Sequence, residues 1–396
     1  MPQTADGETY TVLAEPHLSD KLAQHANPQT LGATDVISIQ PCPTPSERSQ
    51  DRFVVADWTL ADGIWKFQGV FDGHAGHETV DYVAATLPTA VHDALVRGLA
   101  LGPLSPSDVS ELLRRAIAEI DARIGQEMLD LFPGGADLLG GLSDEDITGL
   151  INDNGVNSAK VLRCMRGSTV LVALISPVLD VWVASLGDCQ AVLGSKQATS
   201  DFWDTQVLSA NHNAADPDEV ARIRSEHPGE DECVLVDRVL GAIAITRAVG
   251  DFLFKLPAVY TTRVFLNSNP GFRISSKVVE FLPRNLTPPY LSAQSAVQHV
   301  NIPSLGAAEV FLLLASDGLV DLSGDTYGMD NREPAVGSKK WVEVLSRTER
   351  LGAGNAALYL LRHAMGWEAD PVSSLLTVES EKRQMDDTTI LFTPLV

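Results

Sequence analysis

The sequence predicts an α+β fold in which two antiparallel sheets pack on each other and helices cover the outside. Segments with strand character occur in groups, and helical segments lie between those groups instead of alternating with single strands, so a regular parallel sheet is not expected. The chain has 396 residues, of which 44% are hydrophobic, and this is ample for a large core. Only 20% are charged, which is not the composition of a disordered chain.

The first part of the chain predicts an arm, a hairpin and two helices. Residues 1–45 show no clear periodicity and contain several prolines, so we expect an irregular N-terminal arm. Residues 52–58 and 64–71 form the predicted hairpin around an Ala-Asp-Gly turn. Apolar residues at helical spacing predict helices over 78–96 and 107–130.

The rest of the chain predicts one core of strands with insertions, and we assign residues 46–396 to a single domain. Residues 132–157 are rich in Gly and Asp and are predicted to loop over the surface. Insertions are expected near 131–160, 264–307 and 322–340, the last as a mobile loop. The other predicted elements are strands at 168–175, 180–186, 190–193, 234–245, 310–315 and 389–392, and helices at 216–227, 339–348 and 354–365.

Bulk properties exclude several classes of function. The net charge of −23 argues against a nucleic-acid partner and against anionic membrane surfaces. The four cysteines are widely separated and form no Cys-x-x-Cys pair, which argues against a zinc site. No apolar run approaches ~20 residues, so we expect no membrane span. The N-terminal segment is acidic and has no arginine before Arg48, so it does not look like a secretory signal or a typical matrix presequence.

Carboxylates stand at the ends of several predicted strands. Asp72 closes the strand at 64–71 and is followed by Gly73 and His74. The other acidic positions of this kind are Asp51, Asp188, Asp317, Asp321, Asp386 and Asp387. A single Asp-Gly pair is equally typical of a tight turn. Several buried carboxylates, however, are costly unless a cation compensates them, and oxygen ligands suit Mg²⁺ or Mn²⁺. The joint pattern favours a metal-dependent hydrolase.

Six motifs identify a family that the chain resembles. They are Gly69–Gly76, Gly167–Thr169, Ser185–Cys189, Thr246–Asp251, Ala315–Asp321 and Asp386–Thr389. In this order the motifs resemble those of the metal-dependent type 2C serine/threonine protein phosphatases, from about Asp51 to Phe392. The segments Asn211–Ala214, Glu226–Pro228, Gly250–Lys255 and Pro288–Ala293 are most similar to the branch that contains pyruvate dehydrogenase phosphatase. The resemblance implies a four-layer α-β-β-α sandwich that hydrolyses phosphoserine or phosphothreonine with a metal-activated water.

The resemblance also implies the metal ligands of two Mg²⁺ or Mn²⁺ ions and a weaker third ion. Asp72 is expected to bridge the first two ions, and Gly73 to offer its carbonyl to one of them. The remaining expected ligands are Asp317 and Asp386 on the first ion, Asp51 through waters on the second, and Asp188 and Asp321 on the third. His74 corresponds to the general acid that protonates the leaving serine or threonine oxygen, a role that suits a group titrating near neutrality.

Two positions depart from the family pattern. Gln50 stands where the family usually has Glu, so the second metal is expected to bind more weakly. Ser46 stands where generic members place a phosphate-binding arginine, and Arg48 or Arg52 is the expected substitute. Each of these arginines is equally well interpreted as a surface residue. Two alternatives therefore stay open: a catalytically weak or inactive member that acts as a binding protein, and a small-molecule phosphatase on the same scaffold.

The expected partner is a phosphoprotein substrate, and the chain is expected to be a monomer. An intracellular location is expected, either mitochondrial, as the resemblance implies, or cytoplasmic, as the acidic N-terminal segment suggests. Residues 264–307 and 322–340 are the candidates for substrate choice.

Overall fold

The fold is that of a computed structural model, which describes residues 2–4, 7–40, 48–328, 334–347, 354–378 and 384–396. The helices, numbered in chain order, are α1 His17–Ala26, α2 Glu78–Leu99, α3 Pro106–Leu129, α4 Gly135–Gly141, α5 Asp144–Ile151, α6 Val156–Met165, α7 Pro217–Glu226, α8 Ala258–Arg263, α9 Ser275–Phe281, α10 Asp317–Tyr327, α11 Pro334–Leu345, α12 Ala356–Ala364 and α13 Ala369–Thr377. The longer strands are β1 Gln29–Leu31, β2 Thr34–Ile39, β3 Arg52–Leu60, β4 Gly63–Phe71, β7 Val170–Ile175, β8 Asp180–Leu186, β9 Gln190–Lys196, β10 Trp203–Val207, β14 Ala296–Asn301, β15 Glu309–Ala315 and β16 Thr388–Pro394. The two-residue strands are β5 Gly73–His74, β6 Gly167–Ser168, β11 Val234–Leu235, β12 Arg238–Val239 and β13 Val249–Gly250.

Two antiparallel sheets form the centre of the fold. One has the strand order β14-β8-β7-β4-β3, and the other has the order β1-β2-β16-β15-β9-β10. A small sheet with the order β13-β6-β5 extends from the first sheet. The predicted α+β class with two packed antiparallel sheets is confirmed.

Three apolar cores correspond to the interfaces between four layers. The core between the sheets contains Val70, Leu171 and Leu312, all of them buried. A second core lies between the first sheet and α2, α3 and α6, and a third lies between the second sheet and α1, α10, α11, α12 and α13. Burial on both faces explains why β7 and β15 are continuous apolar runs without alternation.

Local signals account well for the predicted hairpin and the two long helices. Strands β3 and β4 pair in register from Arg52↔Phe71 to Leu60↔Gly63, so the hairpin is confirmed. Helix α3 begins with a capping box in which the Ser105 hydroxyl accepts from the Asp108 N–H and the Asp108 carboxylate accepts from the Ser105 N–H.

The expectation of an irregular arm over residues 1–45 is wrong. This segment contains α1, β1 and β2, and β2 pairs with the last strand, from Thr388↔Ile39 to Phe392↔Asp35. Its structure comes from a partner more than 300 residues away, so no local periodicity marks it. Residues 41–47, which include Ser46, lie outside the described residues.

Three loop or strand predictions also need correction. Residues 132–157 contain α4, α5 and the start of α6 in place of a surface loop, and Ser143 and Asp146 form a capping box for α5. The predicted insertion at 264–307 includes β14, which completes the first sheet by pairing with β8. In the predicted mobile loop at 322–340, residues 322–327 and 334–340 are helical, and 329–333 lie outside the description.

Residues 234–245 were expected to form one strand, but they form only the short strands β11 and β12 with turns. Gly241 has φ 70°, a left-handed conformation that interrupts an extended chain. None of the helices in the described part of the chain has the length and apolar character needed to cross a bilayer.

Candidate metal centre and active site

Three aspartates meet where the ends of the two sheets come together. Asp72 follows β4, Asp188 lies in the connection from β8 to β9, and Asp317 begins α10 directly after β15. One carboxylate oxygen from each lies within 4.8 Å of the others. The backbone of Asp72 is held on both sides by Thr169, whose hydroxyl accepts from the Asp72 N–H at 3.1 Å and whose N–H donates to the Asp72 carbonyl at 2.9 Å.

The carboxylates of this cluster repel one another in a poorly solvated place. Burial, together with the neighbouring Asp317 and Asp51, raises the pKa of Asp72 well above its ordinary value. Burial and the charges of Asp188 and Asp386 do the same to the pKa of Asp317. The pKa of Asp188 is also raised, chiefly by burial. Like charges held this close require either protons or cations.

Asp51 and Asp321 belong to the same electrostatic unit. Burial raises the pKa of Asp51 to about 7, against a lowering hydrogen bond from Ser316 and with a further increase from the Asp387 charge. Burial and then the charge of Asp386 raise the pKa of Asp321 to about 6. The predicted ligands are therefore coupled to one another, although the group of three within 4.8 Å contains only Asp72, Asp188 and Asp317.

Two buried carboxylate oxygens indicate whether a cation fits this cluster. Asp51 is 3% exposed, and its Oδ2 accepts from the Ser316 hydroxyl at 2.7 Å, whereas its Oδ1 has no partner among the described residues. Asp188 repeats the pattern: Oδ2 accepts from the Asn213 side chain at 2.8 Å, and Oδ1 has no partner in the described part of the chain. Buried oxygens without donors are costly, so these residues fit a hard divalent cation.

The adjacent pair Asp386 and Asp387 divides into an exposed and a buried residue. Asp386 is exposed, and its Oδ1 accepts from the Asp387 N–H at 2.8 Å. Asp387 is 4% exposed, and its Oδ2 accepts from the Gln50 N–H at 2.7 Å. Asp387 thus joins the site as a second carboxylate beside Asp51, which the sequence interpretation did not assign.

Gln50 organises the loop that carries Gly73. Its main-chain carbonyl accepts from the Gly73 N–H at 3.2 Å, and its side-chain Oε1 accepts from the Gly76 N–H at 2.9 Å. A Cβ on Gly73 would lie 2.6 Å from the Gln50 carbonyl oxygen, so only glycine fits there. The side-chain oxygen of Gln50 is therefore already hydrogen-bonded within the protein.

His74 is paired with a carboxylate that the sequence interpretation left without a role. His74 Nε2 lies 2.6 Å from Oδ2 of Asp251, and the two side chains are 28% and 3% exposed. Burial lowers the pKa of His74, but the charge and hydrogen bond of Asp251 outweigh it and hold the pKa above its ordinary value. The Thr246–Asp251 motif was the available signal, but it did not indicate which residue Asp251 contacts.

Asp251 is fixed by its own surroundings. Its N–H donates to the Arg166 carbonyl at 2.8 Å, and the Gly250 N–H donates to Asp121 on α3 at 2.8 Å. Lys255 forms an ion pair of 2.7 Å with the same oxygen of Asp121 and donates to the Ala248 carbonyl at 2.8 Å. A buried ion pair therefore connects α3 to the segment that holds His74.

The two arginines predicted to bind phosphate share one acidic partner. Arg48 forms an ion pair with Asp81 at 2.9 Å and has a side chain 63% exposed. Arg52 forms one at 2.7 Å and also donates to the carbonyls of Ser49 and Asp51, at 2.7 and 2.6 Å. Arg52 therefore braces the start of β3, and Arg48 retains more donors for a ligand.

Comparisons with known proteins agree on one family. The family model described as protein phosphatase 2C matches residues 47–330. A protein phosphatase 2C homolog of Schizosaccharomyces pombe is 26% identical, with 90% of this chain and 78% of the relative covered. The mitochondrial [pyruvate dehydrogenase [acetyl-transferring]]-phosphatase 1 of Bos taurus is 30% identical over 82% of this chain and 71% of its own. A solved serine-threonine phosphatase 2C from Toxoplasma gondii has the same fold, with a TM-score of 0.51, 16% identity, and 93% and 96% of the two chains covered.

Proposed function

Because the chain belongs to the protein phosphatase 2C family, we propose that the carboxylates around Asp72 are the metal centre of its phosphatase reaction. The chain is a metal-dependent protein serine/threonine phosphatase, and phosphoproteins are its substrates. The expectation of a type 2C phosphatase, nearest to the pyruvate dehydrogenase phosphatase branch, is confirmed. The two alternative functions are not favoured.

Mg²⁺ or Mn²⁺ is the proposed cofactor, with two ions in the main site and a weaker third. The observation that carries this proposal is the group Asp72, Asp188 and Asp317, whose oxygens lie within 4.8 Å of one another. All of these ligands are oxygens, which suits hard cations. The other proposed ligands are Gly73, Asp51, Asp321 and Asp386. When bound, the ions supply neutralisation of phosphoryl charge and activation of a water nucleophile.

The chain's own residues supply the proton for the leaving group. With Nε2 of His74 bonded to Asp251, Nδ1 is the nitrogen left to donate to the serine or threonine oxygen. The charge and hydrogen bond of Asp251 hold the pKa of His74 above its ordinary value, which favours the protonated ring that a general acid needs. Asp251 is proposed as the positioning residue that fixes the ring orientation. Arg48 is the proposed phosphate-binding arginine, supported by its exposed side chain.

Replacement of the central ligands tests this proposal. Asp72→Asn and Asp317→Asn are expected to remove Mn²⁺-dependent cleavage of a phosphoserine peptide and to weaken Mn²⁺ binding measured by calorimetry. Asp57→Asn, at an exposed position of β3, is the matched control and should bind Mn²⁺ and turn over like the parent. Full activity in either site variant would contradict the metal assignment.

The oligomeric state and the cellular compartment are also part of the proposal. A monomer is proposed, and light scattering during size-exclusion chromatography measures it. The location is proposed as mitochondrial or cytoplasmic, and several relatives are named as mitochondrial. Fluorescence microscopy of the tagged chain in its own cells distinguishes the two.

A further inference from the structure

We infer that a pocket beside His74 binds the residues that flank the phosphorylated side chain of a substrate, namely one apolar side chain and an acidic neighbour. The inference rests on the proposed function and adds a substrate class to it. The pocket has a volume of about 520 Å³, and His74 and Asp251 form part of its wall. It is thus continuous with the proposed site of proton transfer, and its size is typical of a ligand pocket.

The floor of the pocket is apolar and largely aromatic. Phe254 and Phe281 stack with ring centroids 4.8 Å apart, and they are 4% and 3% exposed. Val278 is also buried, while Phe272 and Ile243 are half-buried. Binding of an apolar side chain to this floor is favourable, because apolar surface of both partners is removed from water.

The rim of the pocket is cationic although the chain as a whole carries −23. Arg238, Lys277 and Arg284 line it, against Glu280 and the Asp251 carboxylate that faces His74. Arg284 is paired with Glu232 at 3.0 Å. Arg238 and Lys277 are exposed, and no ion pair is formed by either within the described ranges. Two exposed cations without carboxylate partners favour an acidic occupant.

The chemistry of the leaving group places a peptide here. His74 gives its proton to the oxygen that stays on the serine or threonine, so the substrate backbone must pass close to His74. An extended chain advances by roughly 3.3–3.6 Å per residue, so side chains one to three positions away lie within about 4–11 Å of that oxygen. The pocket that starts at His74 is therefore within reach of these side chains, which makes a flanking peptide its occupant.

A panel of four phosphoserine peptides tests the inference with the unmodified protein. The peptides carry Phe or Ala, and Glu or Lys, within three positions of the phosphoserine, on either side. The peptide with Phe and Glu is expected to exceed the one with Ala and Lys by about tenfold or more in kcat/KM. Equal rates across the panel would overturn the pocket assignment and leave the phosphatase function intact. Cleavage of p-nitrophenyl phosphate without cleavage of any peptide would overturn both.

A charge-reversal variant then identifies the surface responsible. In R238E/K277E the ratio of kcat/KM for Glu-flanked over Lys-flanked peptides should fall by about tenfold or invert. The control R97E/R123E carries the same change of charge at exposed positions of α2 and α3, and it should keep the parent ratio. A ratio that is unchanged in R238E/K277E, or changed equally in the control, contradicts the inference. Because a ratio is compared, loss of folded protein does not imitate the expected result.

Discussion

Replacement of Lys255 by Met should destabilise the protein strongly and should do so through Asp121. The two side chains are 7% and 10% exposed and lie 2.7 Å apart. The substitution removes the ammonium group and leaves the Asp121 carboxylate buried with only the Gly250 N–H as a donor among the contacts described. A buried charge that loses its partner costs more than the pair contributed, because desolvation is no longer offset.

The size of the effect follows from that burial. Breaking a buried ion pair costs about 3–5 kcal/mol. With an unfolding entropy of about 2.1 cal/mol/K per residue, a chain of 396 residues has about 0.8 kcal/mol/K, so a loss of 4 kcal/mol lowers the Tm by about 5 °C. Asp121→Asn alone should cost a similar amount, since the buried Lys255 ammonium then loses its charged partner and keeps only neutral acceptors such as the Ala248 carbonyl. The double variant D121N/K255M should cost about 2 kcal/mol less than the sum.

Urea unfolding of the parent, both single variants and the double variant measures this coupling in EDTA. Arg115→Met is the control, because Arg115 and Glu119 form a pair of 3.8 Å whose side chains are more than half exposed, and such pairs contribute about 0–1 kcal/mol. Single costs that add within about 0.5 kcal/mol would refute the reasoning, since they would show that neither charge depends on the other.

Two further predictions concern the site. Gly167→Ala would place a Cβ 2.0 Å from His74 Nε2 and 2.1 Å from Asp251 Oδ2, so kcat on a phosphoserine peptide should fall by about 10²-fold. The control Gly140→Ala, whose Cβ meets nothing within 4 Å, should keep the parent kcat. A parent-like kcat in Gly167→Ala would contradict the pairing of His74 with Asp251. In the absence of metal, burial raises the pKa of Asp51 from 3.8 to about 7. Between about pH 4 and pH 7 the folded state therefore binds more protons than the unfolded state. The free energy of unfolding in EDTA should consequently fall as the pH rises from about 4 to 7. Asp51→Asn and excess Mn²⁺ should each weaken this dependence in thermal unfolding, and an equally steep fall in Asp51→Asn would exclude Asp51 as its source.

Sequence patterns predicted those parts of the fold whose determinants are local. The hairpin of β3 and β4 needs only alternation and the turn at Ala61-Asp62, which Gly63 follows, and it was predicted almost to the residue. Strand β2 was missed because its partner β16 is far away in the chain, so its hydrogen bonds leave no mark nearby. Helix α5 was missed for another reason: Gly and Asp suggested a loop, whereas Ser143 and Asp146 already formed a readable capping box.

The site shows the same division. Motif spacing pointed to Asp72, Asp188 and Asp317, and these three residues do lie together. It gave no indication that Asp81 engages Arg48 and Arg52, because ion pairs between separate elements depend on how the chain folds. The roles assigned to individual ligands stay predictions until metal binding is measured.

The pairing of β2 with β16 has a consequence for how the protein is made. During synthesis β2 emerges early, but its neighbour in the sheet, residues 388–394, emerges some 350 residues later, after the whole catalytic scaffold. Until then β2 presents unpaired backbone groups, which other chains can bind. Asp386 and Asp387 arrive with the same strand, so the nascent chain holds an incomplete set of acidic side chains. The same strand therefore closes the sheet and brings these two carboxylates to the acidic cluster.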